Sequence, residues 1–233
     1  MSITQAEIKR IRSLREKKFR DATGLFVVEG EKLVREALHS GFRVEGVWRR
    51  EEIGDAAMER ISQLSTPSPV LAVVARPEPS EPVLESCLCL ALDGVRDPGN
   101  LGTIIRTADW FGVRTVFVSG DCAEQFNPKV IQASMGSVFR VRVVAAELPE
   151  LCRRVREAGM PVYGTFLDGR DLYAEPLSAT GLVIMGNEAS GIREDVAAQV
   201  DRRLRIPAWE GAGAESLNVA SATAVVLSEF RRR

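Results

Sequence analysis

Cys87-Leu88-Cys89-Leu90-Ala91-Leu92-Asp93-Gly94-Val95-Arg96-Asp97-Pro98-Gly99-Asn100-Leu101-Gly102-Thr103-Ile104-Ile105-Arg106-Thr107-Ala108 carries the pattern on which the fold turns. A strand-length apolar run stops at Asp93, a turn rich in Gly and Pro follows, and Leu101, Ile104, Ile105 and Ala108 then recur at helical spacing. The unit is strand, turn, helix, and the chain downstream repeats it. Strand-like runs at 87–92, 115–118, 140–144, 162–166, 182–185 and 203–206 alternate with helical segments at 101–111, 128–135, 148–157 and 195–200, with a last helix over 218–231. Strands rich in Val, Ile and Leu between helices define an α/β class, with a mostly parallel sheet covered by helices on both faces. In such sheets ligands bind beyond the carboxyl ends of the strands, which directs attention to the loops there.

Upstream, prolines at 77, 79 and 82 make residues 76–85 an extended, stiff linker. The expected organisation is therefore a small domain over 1–75, the linker over 76–85, and a larger domain over 86–233. The first domain reads as a basic helix over 7–20, strands at 25–29, 44–48 and 70–75, and helices at 32–39 and 56–64, an α/β layer large enough to fold alone. Between positions 1 and 20, seven basic residues (Lys9, Arg10, Arg12, Arg15, Lys17, Lys18, Arg20) face two acidic ones (Glu7, Glu16). Taken alone, such a run fits a solvated helix face or a phosphate-contacting one.

Of the 233 residues, 45% are hydrophobic and 27% charged, enough apolar material for a packed core. The first ten residues lack the apolar heart of a secretory signal and no run approaches the length of a membrane span, so a cytoplasmic protein without membrane contact is expected. Four scattered cysteines give no disulfide framework, and Cys87 and Cys89 read as strand core. A single histidine, His39, makes both a metal centre and a Ser-His-Asp machine poor readings.

Three loops at strand ends carry the polar chemistry. In the first, Asn100 is placed to cap the helix, and Arg106, six residues on, is expected on roughly the same side. An arginine among Ile104, Ile105 and Ala108 serves either an ion pair or a phosphate or developing oxyanion. Its glycines do not match the dinucleotide fingerprint, which disfavours an NAD enzyme. In the second, Val183-Ile184-Met185-Gly186-Asn187-Glu188-Ala189-Ser190-Gly191-Ile192, the strand ends at Gly186 and a carboxylate, Glu188, stands at the sheet edge. Gly186 permits either close ligand approach or a tight turn. In the third, Ile206 to Ala220, a Gly/Ala-rich stretch leads to Ser216 or Asn218 as the cap of the final helix.

In this order, Asn-Leu-Gly-Thr-Ile-Ile-Arg (100–106), Gly-Asn-Glu (186–188) and Ser-Leu-Asn-Val (216–219) resemble the three motifs of the SpoU (TrmH) family of RNA ribose methyltransferases. Phe26-Val27-Val28-Glu29-Gly30-Glu31-Lys32-Leu33-Val34 resembles the substrate-binding domain of many members, a ribosomal protein L30e-like RNA-binding fold. The resemblance implies a deep trefoil knot of the SPOUT superfamily, a homodimer, S-adenosylmethionine as methyl donor without a metal, and RNA as substrate, ribosomal before transfer RNA. A non-catalytic RNA-binding protein retaining the fold is the alternative. It further implies a catalytic set of Arg106, Asn100, Glu188, Ser216 and Asn218; within that set we expect Glu188 and Asn100 to orient Arg106. Cofactor contacts fall near Thr165, Gly186, Ile206 and Leu217, and Lys9, Arg10, Arg12, Arg15, Lys17 and Lys18 become RNA contacts. The chain departs from the family at Ala208-Trp209, where many members have methionine, in its longer glycine-rich third loop, and at Ala189, where glycine is common.

Overall fold

The computed structural model describes residues 3–78 and 87–232. Most of the expected linker thus lies outside the described residues.

The first unit is built on a three-stranded antiparallel sheet of β1 (Leu25–Glu29), β2 (Val44–Arg49) and β3 (Val70–Ala75), in the order β1-β3-β2. β1 and β3 are buried along their whole length, and their period of two sorts side chains onto opposite faces. Leu25, Val27, Leu71, Val73 and Ala75 pack under α1 (Gln5–Ser13) and α5 (Asp55–Ile61). Phe26, Val28, Val70, Ala72 and Val74 face α3 (Glu31–His39). A one-turn helix, α4 (Arg50–Ile53), joins β2 to α5. The single basic helix expected over 7–20 is instead two, α1 and α2 (Lys17–Thr23). Buried Leu14 forces the corner between them, and Arg20 donates from Nη1 to the carbonyls of Leu14 (2.8 Å) and Arg15 (2.7 Å), satisfying the groups that a continued helix would have paired.

The second unit is a six-stranded, all-parallel sheet in the order β6-β5-β4-β8-β7-β9. Its strands are β4 (Leu88–Leu92), β5 (Thr115–Val118), β6 (Arg142–Ala145), β7 (Val162–Asp171), β8 (Gly181–Met185) and β9 (Arg202–Arg205). Leu88, Leu90, Leu92, Val116, Val183 and Met185 form one core beneath α6 (Pro98–Trp110) and α10 (Val219–Arg231). Cys89, Ala91, Phe117, Leu182 and Ile184 form the other beneath α8 (Leu148–Glu157) and α9 (Glu194–Ala197), where Cys152 also lies. Burial pushes the Cys152 thiol up to about 11, that of an inert core residue.

Several expected boundaries change: α6 begins at Pro98 rather than 101, α5 ends at Ile61 rather than 64, and β7 runs on to Asp171 rather than 166. The strand expected from 140 begins at Arg142, because a 3-10 turn at Ser137–Phe139 intervenes and the Arg140 guanidinium turns to Asp109 and Glu36. The helix expected over 195–200 is a single turn, α9.

The two units share a core. Phe126, Ile131 and Val138, around α7 (Pro128–Ser134), complete the α3 side of the first sheet, with Phe26 and Phe126 ring centroids 4.6 Å apart. The first layer leaves an apolar face open that the second covers.

Candidate active site

The first, second and third loops meet at the carboxyl edge of β4 and β8. Asp97, not Asn100, caps α6: its Oδ1 accepts from the Asn100 N–H at 2.8 Å, with Pro98 in the first turn. The backbone of Asn100 is therefore what the cap uses, and its side chain is free to reach across. Asn100 Nδ2 donates to Glu188 Oε1 at 2.5 Å, and Asn100 Oδ1 accepts from Asn218 Nδ2 at 3.0 Å. Asn218 Oδ1 in turn accepts from the N–H groups of Ala220 (2.9 Å) and Ser221 (3.3 Å), capping α10. Asn218 rather than Ser216 is thus the cap.

This chain of four groups has one direction. An ionised carboxylate at one end only accepts, and helix N–H groups at the other only donate, so both amides are oriented without ambiguity. The chain joins residues 88 and 118 positions apart in sequence.

The loops are fixed by side chains that do not belong to the motifs' expected catalytic set. Asp93, 0% exposed, accepts from both the backbone N–H and Nε of Arg193, each at 2.8 Å, tying the end of β4 to the end of the second loop. Partial burial works against the charge on Arg193, but the Asp93 carboxylate wins and holds it above its ordinary value. Asn187 donates to the Gly94 carbonyl at 2.6 Å and accepts from the N–H groups of Ala189 and Ser190, shaping the turn that presents Glu188. On the other flank the Gly94 N–H donates to Ser119 Oγ, which donates to Asp121 Oδ1. Ser119 and then Arg96 hold the Asp121 carboxyl below the usual carboxylate range. Sequence reasoning missed Asp93, Asn187 and Arg193; the available signal was a carboxylate directly after an uninterrupted buried strand.

Gly186 answers to the turn. A Cβ there would lie 2.4 Å from the Gly191 carbonyl carbon and 2.5 Å from the Ile192 nitrogen, so the loop's own backbone fills that space. Thr165, Gly186 and Ile206 lie at or just beyond the paired ends of three neighbouring strands, and Thr165 Oγ1 donates to the Ile184 carbonyl at 3.2 Å. Ser216 and Leu217 lie in an exposed stretch, 208–218, which includes Trp209 at 88% exposure.

Arg106 stands apart. Six residues at 3.6 per turn place it about 120° around the helix from Asn100 rather than on the same side. It is exposed with Thr103 and Trp110, the latter 84% exposed, and makes no ion pair or hydrogen bond among the described residues. Within one chain, Asn100 and Glu188 therefore bond to each other and do not orient it. Of the basic set, Lys9, Arg10 and Arg12 are exposed on α1 and form no salt bridge among the described residues. Arg15 donates to the Ser62 carbonyl, Lys17 pairs with Asp21 and Lys18 with Glu16. Arg20, part of the same basic run, is buried. No group of side chains able to hold a metal ion occurs among the described residues, and no helix among them is long and apolar enough to cross a membrane.

The stretch that builds this parallel sheet and its three interlocked loops, residues 87–228, matches the model of the SpoU rRNA Methylase family, and the chain belongs to that family. Residues 5–72 match the MRM3-like substrate binding domain. Among relatives, the 23S rRNA (guanosine(2553)-2′-O)-methyltransferase RlmP of Bacillus subtilis is 34% identical, over 99% of this chain and 98% of that protein. The solved AdoMet-bound rRNA methyltransferase from Sinorhizobium meliloti is 32% identical, with a TM-score of 0.88 over 99% of this chain and 97% of that one. The SpoU methyltransferase AviRb from Streptomyces viridochromogenes, solved with AdoMet, is 26% identical, with a TM-score of 0.85 over 97% of each chain.

Proposed function

We propose that this protein transfers a methyl group from S-adenosylmethionine to a ribose 2′-hydroxyl of ribosomal RNA, in the cytoplasm and as a homodimer. The observation that carries the reading is the Glu188–Asn100–Asn218 chain, which draws one residue from each of the three family motifs into a single network. RNA methyltransferase relatives matching nearly the full chain support it, as do AdoMet-bound structures among them.

Backbone groups at Gly186, Ile206 and Leu217 and the Thr165 hydroxyl would hold the cofactor; Thr165, Gly186 and Ile206 stand at the ends of neighbouring strands, and Leu217 lies in the exposed third loop. When bound the cofactor supplies a sulfonium-activated methyl, so the displacement requires no metal. The remaining task is to make a poor nucleophile, the 2′-oxygen, attack in line. Arg106 stabilises the developing alkoxide and anchors the neighbouring phosphate rather than serving as the base. Ser216, or a water, relays the proton. Because Arg106 points away from the chain's own Asn100, the exposed α6 face that carries it is the surface where a second copy would complete the site. The position of β8 between β4 and β7, both earlier in sequence, accords with the trefoil knot expected of the family. Lys9, Arg10 and Arg12 are the RNA-facing cations of the first domain.

The test is transfer of radiolabelled methyl into unmodified bacterial RNA, separated into ribosomal and transfer fractions. Label should enter the ribosomal fraction, and Arg106→Ala should lower it by roughly 10²- to 10³-fold. Label in transfer RNA alone would redirect the substrate assignment. No label despite demonstrated cofactor binding would leave a non-catalytic RNA-binding protein. Near wild-type activity of Arg106→Lys would sink the role given to the planar guanidinium.

A further inference from the structure

The seam between the two units is built more heavily than a tethered module requires. Arg20, 2% exposed, pairs through Nη2 with Glu124 Oε2 and through Nε with Oε1 at 3.2 Å. Arg76, at the end of β3, donates to the same Glu124 at 2.6 Å and to Asp21 at 2.9 Å, and its guanidinium lies 5.2 Å from the Phe126 ring centroid. Two arginines and two carboxylates thus neutralise each other where α2, β3 and the segment after β5 converge. At the other end of the seam, Gln132 of α7 donates to the Glu29 carbonyl at 2.9 Å, and Arg140 joins Glu36 of α3 to Asp109 of α6. Charged pairs with little solvent contact are costly unless geometry is maintained, so they specify one relative placement more than they add affinity.

α7 carries that placement onward. A Cβ at Gly102 would lie 2.6 Å from Ala133 Cβ and 2.7 Å from the Val130 carbonyl oxygen, so α6 crosses α7 with almost no gap, two residues after Asn100. Ile131 of α7 meanwhile enters the first domain's core. One seven-residue helix therefore touches both the RNA-facing domain and the helix that bears Asn100 and Arg106. The whole-chain likeness to solved relatives is what a fixed arrangement of the two units produces.

We propose that Glu124, clasping Arg20 and Arg76, is a positioning residue. With α7 it holds the first domain at one offset from α6, so that RNA bound by α1 presents its ribose in register at the catalytic edge. This rests on the methyltransferase reading and goes beyond it by assigning a role to a residue outside all three motifs. The two RNAs a test needs are a long ribosomal fragment that spans both domains and a short one that fills only the catalytic edge.

Glu124→Gln keeps the side chain's shape while removing the charge that both arginines share. The expected result is a KM for the long RNA raised about tenfold, as effective concentration is lost, with kcat on that RNA and both constants on the short RNA unchanged. Phe126→Leu, which loosens the same seam by removing the ring that packs on Phe26 and faces the Arg76 guanidinium, should show the same split more weakly. Equal losses on both RNAs would mean that Glu124 serves only stability, and unchanged kinetics on both would mean that the seam does not set register; either overturns the proposal. Wild-type protein inert on both RNAs would overturn the methyltransferase reading and this inference with it.

Discussion

Replacing Asn218 by aspartate separates two tasks that its side chain now performs. The Oδ1 atom caps α10 and the Nδ2 atom donates to Asn100 Oδ1 at 3.0 Å. Alanine removes both. Losing the cap costs about 1 kcal/mol, which for a chain of this size lowers Tm by about 2 to 4 °C. Aspartate keeps an acceptor at the helix start and places a negative charge at the positive end of α10, which contributes roughly 0.3 to 1 kcal/mol in its favour. At the other end, however, it sets a carboxylate oxygen against the carbonyl oxygen of Asn100. Turning the Asn100 amide only moves the conflict to Glu188, which accepts and cannot donate. Because these groups are exposed, the network loses about 0.5 to 1.5 kcal/mol, and kcat should fall by about 2- to 13-fold at 1.36 kcal/mol per tenfold. Net of the helix-end gain, Asn218→Asp should therefore melt within about 5 °C of wild type while losing most of its methyl transfer, whereas Asn218→Ala loses the cap as well and should melt lower still. Adding Glu188→Gln to Asn218→Asp restores donor and acceptor alternation in the reverse direction. A double-mutant cycle on urea unfolding should then show a favourable coupling of about 0.5 to 1.5 kcal/mol. Full activity in Asn218→Asp, or zero coupling in the cycle, would refute the directional network.

Three further outcomes follow from the packing around the site. Gly102→Ala inserts a methyl where Ala133 and Val130 leave no room, and should destabilise the fold by about 1 to 3 kcal/mol in chemical denaturation; an unchanged midpoint would show that α6 and α7 part freely. Asp93→Asn turns a buried acceptor pair toward Arg193 into one acceptor and one donor, and because Arg193 is half-exposed and rehydrates, a cost of about 2 to 3 kcal/mol is expected, read as a Tm drop of roughly 5 to 10 °C. Asp121, whose carboxyl is depressed by Ser119 and then Arg96, stabilises the fold above its ordinary value of 3.8, and that contribution is lost as pH falls through the lower folded value. Asp121→Asn should accordingly flatten the acid limb of the Tm-against-pH curve below about pH 4 and leave its shape near neutrality untouched.

Much of the fold was legible because its signals are local. The short apolar run at 88–92, closed by Asp93-Gly94, reads as a strand buried on both faces, and the 3.6-residue spacing of Leu101, Ile104, Ile105 and Ala108 marks the buried stripe of α6. Boundaries moved where a distant partner competes with local preference. Arg140 leaves the strand pattern for Asp109 and Glu36, and Leu14 breaks the basic helix because the core beneath β1 and β3 takes its side chain. Of the expected site, Asn100, Glu188 and Asn218 do meet, but the local geometry was misread: Asn100 was assigned the cap that Asp97 provides, and Arg106 was placed on the wrong side of α6.

By itself the sequence determined what periodicity and turn chemistry encode: an α/β sheet, three polar loops at its carboxyl edge, and the residue types in each, along with a family resemblance that the comparisons bear out. Only the tertiary structure decided which of those residues touch. Hydrogen bonds between Asn100 and Glu188, Asp93 and Arg193, or Arg20 and Glu124 span some 88 to 104 positions, and no local spacing encodes a meeting that depends on strand order. The direction of the amide chain, the lack of a partner for Arg106 among the described residues and the shared core of the two units follow from the same cause: each is a property of faces brought together, and a sequence read in windows contains only one face at a time.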